Sequence, residues 1–332
     1  MLTLSICIPS YNRFEKLNET IEKILKSGSK DFDVIIVDNC SPRRIEEFID
    51  CSDERVKIIH RESAVRGEQS VNECVGFADA SYALLLLDKD VIEGEYIADL
   101  ITILKDSKVS GGYCEINSTN HICEFDREDA VVKFGYLSKH PSGNIYKTDF
   151  VKEYISQEPE IIGTDAFGFD YALAYVASRG TMLLYNKPLV FSQLDKPVGK
   201  PEKSLSFNPQ NNNVFYLPMN RTCEFKKYAG ALDKLLISKE MKLKVFEKLY
   251  QRTISQVTIQ YRKVMKNEFT CYHYGHDTKR VSIFEMVDNY HKVNSCINEM
   301  ELSYLSLDDK KKIKCNVLKK GLTKILKKLI KR

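Results

Sequence analysis

Residues 84–90 read Leu-Leu-Leu-Leu-Asp-Lys-Asp, an apolar run that stops abruptly at two carboxylates, Asp88 and Asp90, spaced i, i+2. Consecutive apolar residues suit a strand buried on both faces, and in an open α/β sheet ligands bind where such strands end. Oxygen ligands at this spacing suit a hard divalent cation, Mn²⁺ or Mg²⁺, which takes one or two protein carboxylates and completes its shell with phosphate oxygens. A solvated turn would have the same letters, because aspartate also caps helices and makes turns. The segments that precede it separate the two readings.

Residues 4–9 form an apolar run closed by Pro9, and residues 14–25 place Phe14, Leu17, Ile21, Ile24 and Leu25 on one helical face. Further apolar runs at 33–38, 55–60 and 83–87 are expected as strands, with a helix of small residues over 71–78. The β-α-β-α order with nearly all-apolar strands predicts a mostly parallel sheet with helices on both faces. Right-handed crossovers then put the strand ends at Pro9, Asp38 and Asp88 along one rim. In the stretch Pro9-Ser10-Tyr11-Asn12-Arg13, Pro9 fixes the turn, Tyr11 offers a face for a base, and Arg13 offers a grip on phosphate. Asn12 as a helix N-cap is the plainer alternative, as is a cap at Asp38-Asn39 ahead of Pro42.

These motifs together resemble glycosyltransferase family 2, enzymes with the GT-A, Rossmann-like nucleotide-sugar fold. The resemblance rests on Ser5 to Arg13, on Ile35 to Ser41, on Gly67 with Asn72, and on Leu87-Asp88-Lys89-Asp90, in order through residues 2–186. Within the family it points to bacterial enzymes that build O-antigen or capsule repeats. Carried over position by position, it implies donor contacts from Pro9, Tyr11, Asn12, Arg13, Asp38, Asn39, Arg66, Asn72, Asp88 and Lys89. Asp90 becomes the principal metal ligand, with Asp88 beside it. Two positions depart from the family pattern: Val71 stands where an arginine is frequent, and Val91 where a third acid often follows.

Transfer from a nucleotide diphosphate sugar needs a Lewis acid at the leaving group and a base at the attacking hydroxyl. The family supplies the base from an acidic pair at a helix start, which here falls on residues 168–175, Gly-Phe-Asp-Tyr-Ala-Leu-Ala-Tyr. Asp170 is the surviving member of that pair, Phe169 replacing the other. Asp170 is therefore the expected catalytic base, and Asp165 is the alternative, with a helix-cap role also open to it. The stretch 139–144, Lys-His-Pro-Ser-Gly-Asn, marks a loop where His140, Ser142 and Gly143 are candidate acceptor contacts, a plain turn being the alternative. No histidine occurs at 192–218, where the family often adds a metal ligand.

The expected organisation is a catalytic domain over 1–218, a helical C-terminal domain over 219–309, and a basic amphipathic helix over 310–332. Prolines and an Asn run make 192–218 irregular, either a lid or a linker. The final 23 residues hold 11 Lys and Arg and no acid, so the net charge of +4 becomes −7 without them. Leu318, Leu322, Ile325, Leu326, Leu329 and Ile330 share one helical face, a pattern suited to an anionic membrane surface. A solvated tail or partner helix remains the alternative, and the acidic body argues against nucleic acid.

There is no signal segment and no apolar run of about 20 residues. Ten cysteines without C-x-x-C spacing suit a reducing compartment. The expectation is thus a cytoplasmic protein, peripheral on the inner face of the cell membrane. It would use a nucleotide-diphosphate-sugar donor, a divalent metal and a lipid-linked glycan acceptor, and the C-terminal helices leave a homo-oligomer open. A nucleotidyl-transferring enzyme would call for a Gly-rich phosphate loop, which is absent. A catalytically inactive glycan-binding member is the other alternative, suggested by Phe169 and Val71.

Overall fold

The computed structural model describes residues 2–115, 121–136, 140–191 and 216–330. They fall into two compact units, one through Asp195 and one from Lys196. The expected lid segment lies almost wholly outside the described residues.

The first unit is an α/β sheet. Its strands are β1 (Leu4–Ser10), β2 (Phe32–Asp38), β3 (Val56–His60), β4 (Tyr82–Leu85), β6 (Gly111–Cys114), β7 (His121–Phe125), β8 (Asn144–Lys147) and β9 (Met182–Asn186), while β5 (Val91–Ile92) and β10 (Val190–Phe191) form a separate ribbon. The large sheet runs β3-β2-β1-β4-β8-β6-β9-β7. The β1, β2, β3 and β4 neighbours pair parallel, as do β6 and β9; β8 lies antiparallel between β4 and β6. Every residue of β1 and β2 is buried, as strands covered on both faces require.

The helices of this unit are α1 (Phe14–Leu25), α2 (Gly67–Cys74), α3 (Ile97–Asp106), α4 (Arg127–Phe134), α5 (Thr148–Gln157), α6 (Pro159–Thr164) and α7 (Gly168–Ala177). Helix α1 buries Phe14, Leu17, Thr20, Ile21 and Ile24, the face its periodicity marks. The small-residue helix begins at Gly67, earlier than expected, and ends in a 3₁₀ turn over Val75–Phe77. Edge strand β3 carries Lys57 paired to buried Asp33 at 2.7 Å, a charge that discourages a further strand from adding there. Cys7, Cys74 and Cys114 are small core residues, and burial raises their thiols far from thiolate character.

The second unit is helical: α8 (Pro218–Lys234), α9 (Lys239–Ser255), α10 (Tyr261–Val264), α11 (Glu268–His273), α12 (Ile283–Glu299) and α13 (Leu307–Ile330), with a π turn over Gln256–Gln260. Phe225, Tyr228, Leu232, Phe246, Leu249 and Tyr250 are buried within it. Helix α13 starts before the expected tail, and Lys310, Ile313 and Val317 are buried rather than free. Among the described residues no helix is long and apolar enough to cross a membrane.

Candidate active site

Parallel register sets the rim. Ser10 pairs with Asp38, and Asp38 with His60, so β1, β2 and β3 end level with one another. Asn12 and Cys40 take left-handed backbone, with φ of 54° and 63°, which turns both loops sharply after their strands. The Asn12 amide donates to Ser41 Oγ at 2.9 Å, tying the two loops together. Ser41 Oγ in turn donates to Asp38 Oδ1 at 2.5 Å, and His60 Nδ1 lies 3.1 Å from Asp38 Oδ2. Glu46 accepts from the other ring nitrogen at 2.7 Å; with Asp38 it raises the His60 pKa, Glu46 contributing most. The Ser41 amide also donates to both Asp38 oxygens, at 3.2 and 3.3 Å, so the carboxylate is held from both sides.

Asp88 and Asp90 differ although one residue separates them. Asp88 Oδ1 accepts from Arg13 at 2.8 Å and Oδ2 from the Tyr11 amide at 3.4 Å. Burial lifts its carboxyl above the usual aspartate range, with Arg13 opposing that shift. Asp90 is 0% exposed. Ser142 Oγ donates to its Oδ2 at 2.5 Å, while its Oδ1 is buried and accepts no protein hydrogen bond among the described residues. A buried carboxylate oxygen without a donor is costly unless a cation meets it, so the donor set fits a hard divalent ion. Among the described residues no group of three or more His, Cys, Asp or Glu would cage a metal unaided. This also fits an ion that draws remaining ligands from a diphosphate.

Ser142 serves the chain on both sides. Its Oγ accepts from the Leu87 amide at 2.9 Å while donating to Asp90. Next to it, Gly143 has φ of +95°, and a Cβ there would sit 2.5 Å from the Cys114 carbonyl oxygen. These two expected acceptor contacts also shape the Asp90 turn. His140 Nδ1 accepts from the Ser142 amide at 3.3 Å and lies 3.4 Å from Asp90; burial lowers its pKa and Asp90 counters this.

Two asparagines assigned to the donor face inward. Asn39 donates to the Val65 carbonyl at 2.8 Å and accepts from the Val65 amide at 2.9 Å, pinning the loop before α2. Asn72 donates to the carbonyls of Ile162 and Asp165 at 3.0 and 2.9 Å and accepts from the Phe169 amide at 3.0 Å. Its side chain is engaged by main chain at the start of α7. A Cβ on Gly168 would lie 2.4 Å from the Asn72 amide nitrogen, so only glycine admits this approach.

Asp170 sits in the first turn of α7 and is 1% exposed. Its charge helps, after burial, to hold the phenols of Tyr113 and Tyr146 above their ordinary range. Tyr113 also hydrogen-bonds the main chain of His140. The Tyr146 hydroxyl accepts from Asn144 at 2.9 Å and donates to the Phe169 carbonyl at 3.3 Å. Asp165 accepts from the Phe167 amide at 3.0 Å, a local turn ahead of α7.

Tyr11 and Arg66 are exposed, Arg66 lying 3.8 Å from Glu68. Asn12, Arg13, Lys16, Arg43, Phe48 and Lys89 line much of an open cavity of about 390 Å³. Its floor is the stacked pair Phe14 and Phe48, 4.4 Å between ring centroids, with the Arg43 guanidinium 4.4 Å above Phe48. Sequence reasoning missed His60, Ser41, Arg43, Tyr113 and Tyr146. The first two were accessible through strand-end register; the others depend on long-range pairing.

Residues 5–148 match the model of the family described as Glycosyl transferase family 2. Glycosyltransferase GlyG of Streptococcus pneumoniae serotype 4 is 28% identical over 100 residues, 29% of this chain, and the match spans 33% of that relative's length. S. aureus TarS 1-349 in complex with UDP-GlcNAc superposes with a TM-score of 0.57 at 13% identity, covering 90% of this chain and 92% of that one. The same protein in complex with UDP gives 0.54 at 12% identity over 90% and 92%. At such identities the likeness concerns the fold.

Proposed function

We propose that this chain, which belongs to glycosyltransferase family 2, moves one sugar from a nucleotide diphosphate donor to a hydroxyl of a bacterial surface glycan. The observation that carries the reading is the pairing of Asp90, one oxygen held by Ser142 and the other without a protein partner, with an Asp38 braced by Ser41 and His60. One group is prepared for a cation and phosphate, the other for a base N–H, and the β1 and β4 loops lie between them. Uridine diphosphate is the first candidate, because the TarS structures hold UDP-GlcNAc and UDP.

Asp90, with Asp88, would hold Mn²⁺ or Mg²⁺, which supplies charge neutralisation at the leaving diphosphate. Arg13 is placed to leave Asp88 for a phosphate oxygen, trading one ion pair for another. Tyr11, exposed beside Asp38, offers its ring to the base. Asp170 takes the proton of the acceptor hydroxyl as attack begins, which implies inversion at the anomeric carbon. Asn72 and Tyr146 hold the helix start on which Asp170 rides.

The acceptor in this reading is a lipid-linked glycan such as an O-antigen or capsule unit, and the protein works on the inner face of the cell membrane. The basic stretch 310–332 supports that placement. Incubation with UDP-, GDP-, CDP- and dTDP-sugars and Mn²⁺, followed by chromatography of released nucleotide, tests the donor class. Release of UDP that disappears in Asp170→Asn and Asp90→Asn is expected. No release from any sugar nucleotide, with no nucleotide binding, would overturn the reading.

A further inference from the structure

Helix α12 buries one face through Asn289, Val293, Cys296 and Ile297. Its first turns turn the opposite way: Ile283 is 66%, Phe284 88% and Val287 46% exposed. A phenylalanine and two β-branched aliphatics together in water mark an interaction surface. The neighbouring helix says what kind. Lys310 Nζ donates to the Asn298 and Met300 carbonyls at 3.1 and 2.5 Å, and Lys314 Nζ to the Asn294 carbonyl at 3.0 Å. Four residues forward on α13 thus match four back on α12, so α13 runs from the end of α12 towards its start. Leu318, one turn further, is 52% exposed. Beyond it residues 319–332 contain seven Lys and Arg and no acid.

Resting on the membrane reading above, we propose that the start of α12 is a wedge: Ile283, Phe284 and Val287 enter the interface of an anionic bilayer that the cations of α13 attract. Charge draws the unit to the lipid headgroups, and the apolar residues then leave water among the acyl chains. The acid on that face, Asp288, is matched by Lys292 at 2.7 Å and does not repel the surface. Lys310 and Lys314, bonded to α12 carbonyls, and Lys320, paired with Glu247, are excluded from the attraction.

The chain contains no tryptophan, so Phe284→Trp creates a single fluorescent reporter. Its emission is expected to shift blue, and to be quenched by brominated lipid, on phosphatidylglycerol-containing vesicles but not on neutral phosphatidylcholine. Changing Lys324, Lys327 and Lys328 to Gln in the full chain should weaken vesicle affinity about a hundredfold. Phe284→Ser, at a site outside the packed core, should weaken it about tenfold. An unshifted reporter on a chain that binds vesicles would overturn the wedge and leave the basic helix as sole anchor. Absence of vesicle binding would overturn both. A blue shift without vesicles that grows with protein concentration would assign the surface to a second copy of this chain instead.

Discussion

The rim at the ends of β1, β2 and β4 and the junction between α2 and α7 put polar side chains to opposite uses. At the rim Asp88, Asp90 and Asp38 are braced by neighbours, and Asp90 keeps one oxygen for something else. At the junction Asn72 gives its amide to three main-chain groups. The rim addresses a ligand and the junction addresses the chain, yet the second positions the carboxylate that completes the first.

The sharpest way to break this contrast is Asp170→Asn. Loss of a general base should lower turnover by about a thousandfold while leaving nucleotide binding intact. If turnover survives in a folded variant, the junction has no catalytic purpose. Next in size is Asn72→Ala, which takes a hydrogen-bond partner from three buried main-chain groups. Denaturant unfolding should show a loss of about 2–4 kcal/mol, with lowered turnover but unchanged affinity for UDP. Weaker UDP binding with normal turnover would return Asn72 to the donor.

A smaller effect is expected from Gly168→Ala, whose Cβ would press on the Asn72 amide. A cost of about 1–3 kcal/mol in the same unfolding measurement would sharpen the idea of a tight contact, and no cost would dissolve it. The smallest is pH-dependent. His60 has a raised pKa in the folded state, so its contribution is complete below its unfolded value and fades as pH rises through the folded one. The melting-temperature gap between the native chain and His60→Gln should therefore be widest below the unfolded histidine value of about 6.5 and narrow as pH rises above it. A gap that widens with pH would contradict the Asp38–His60–Glu46 arrangement.

Much of the sheet was legible because buried parallel strands write themselves as apolar runs: β1, β2, β3 and β4 lie where those runs predict. The carboxylates after β4 and Asp170 at the start of α7 were likewise visible as motifs at element ends. What could not be read was direction. Asn39 and Asn72 occupy motif positions that suggest a ligand, but their partners are carbonyls and amides distant in sequence. Nor does anything local show that β8 lies antiparallel beside β4 and delivers Ser142 to Asp90. Periodicity marked the tail as an amphipathic helix, but not that its first turns are spent on capping α12.

The most direct test of the central claim is calorimetric titration of UDP with and without Mn²⁺ into the native chain and Asp90→Asn. Metal-dependent UDP binding that falls about a hundredfold in the variant, with its melting temperature nearly kept, is the predicted result. Equal binding by both proteins, or binding indifferent to the metal, would contradict it.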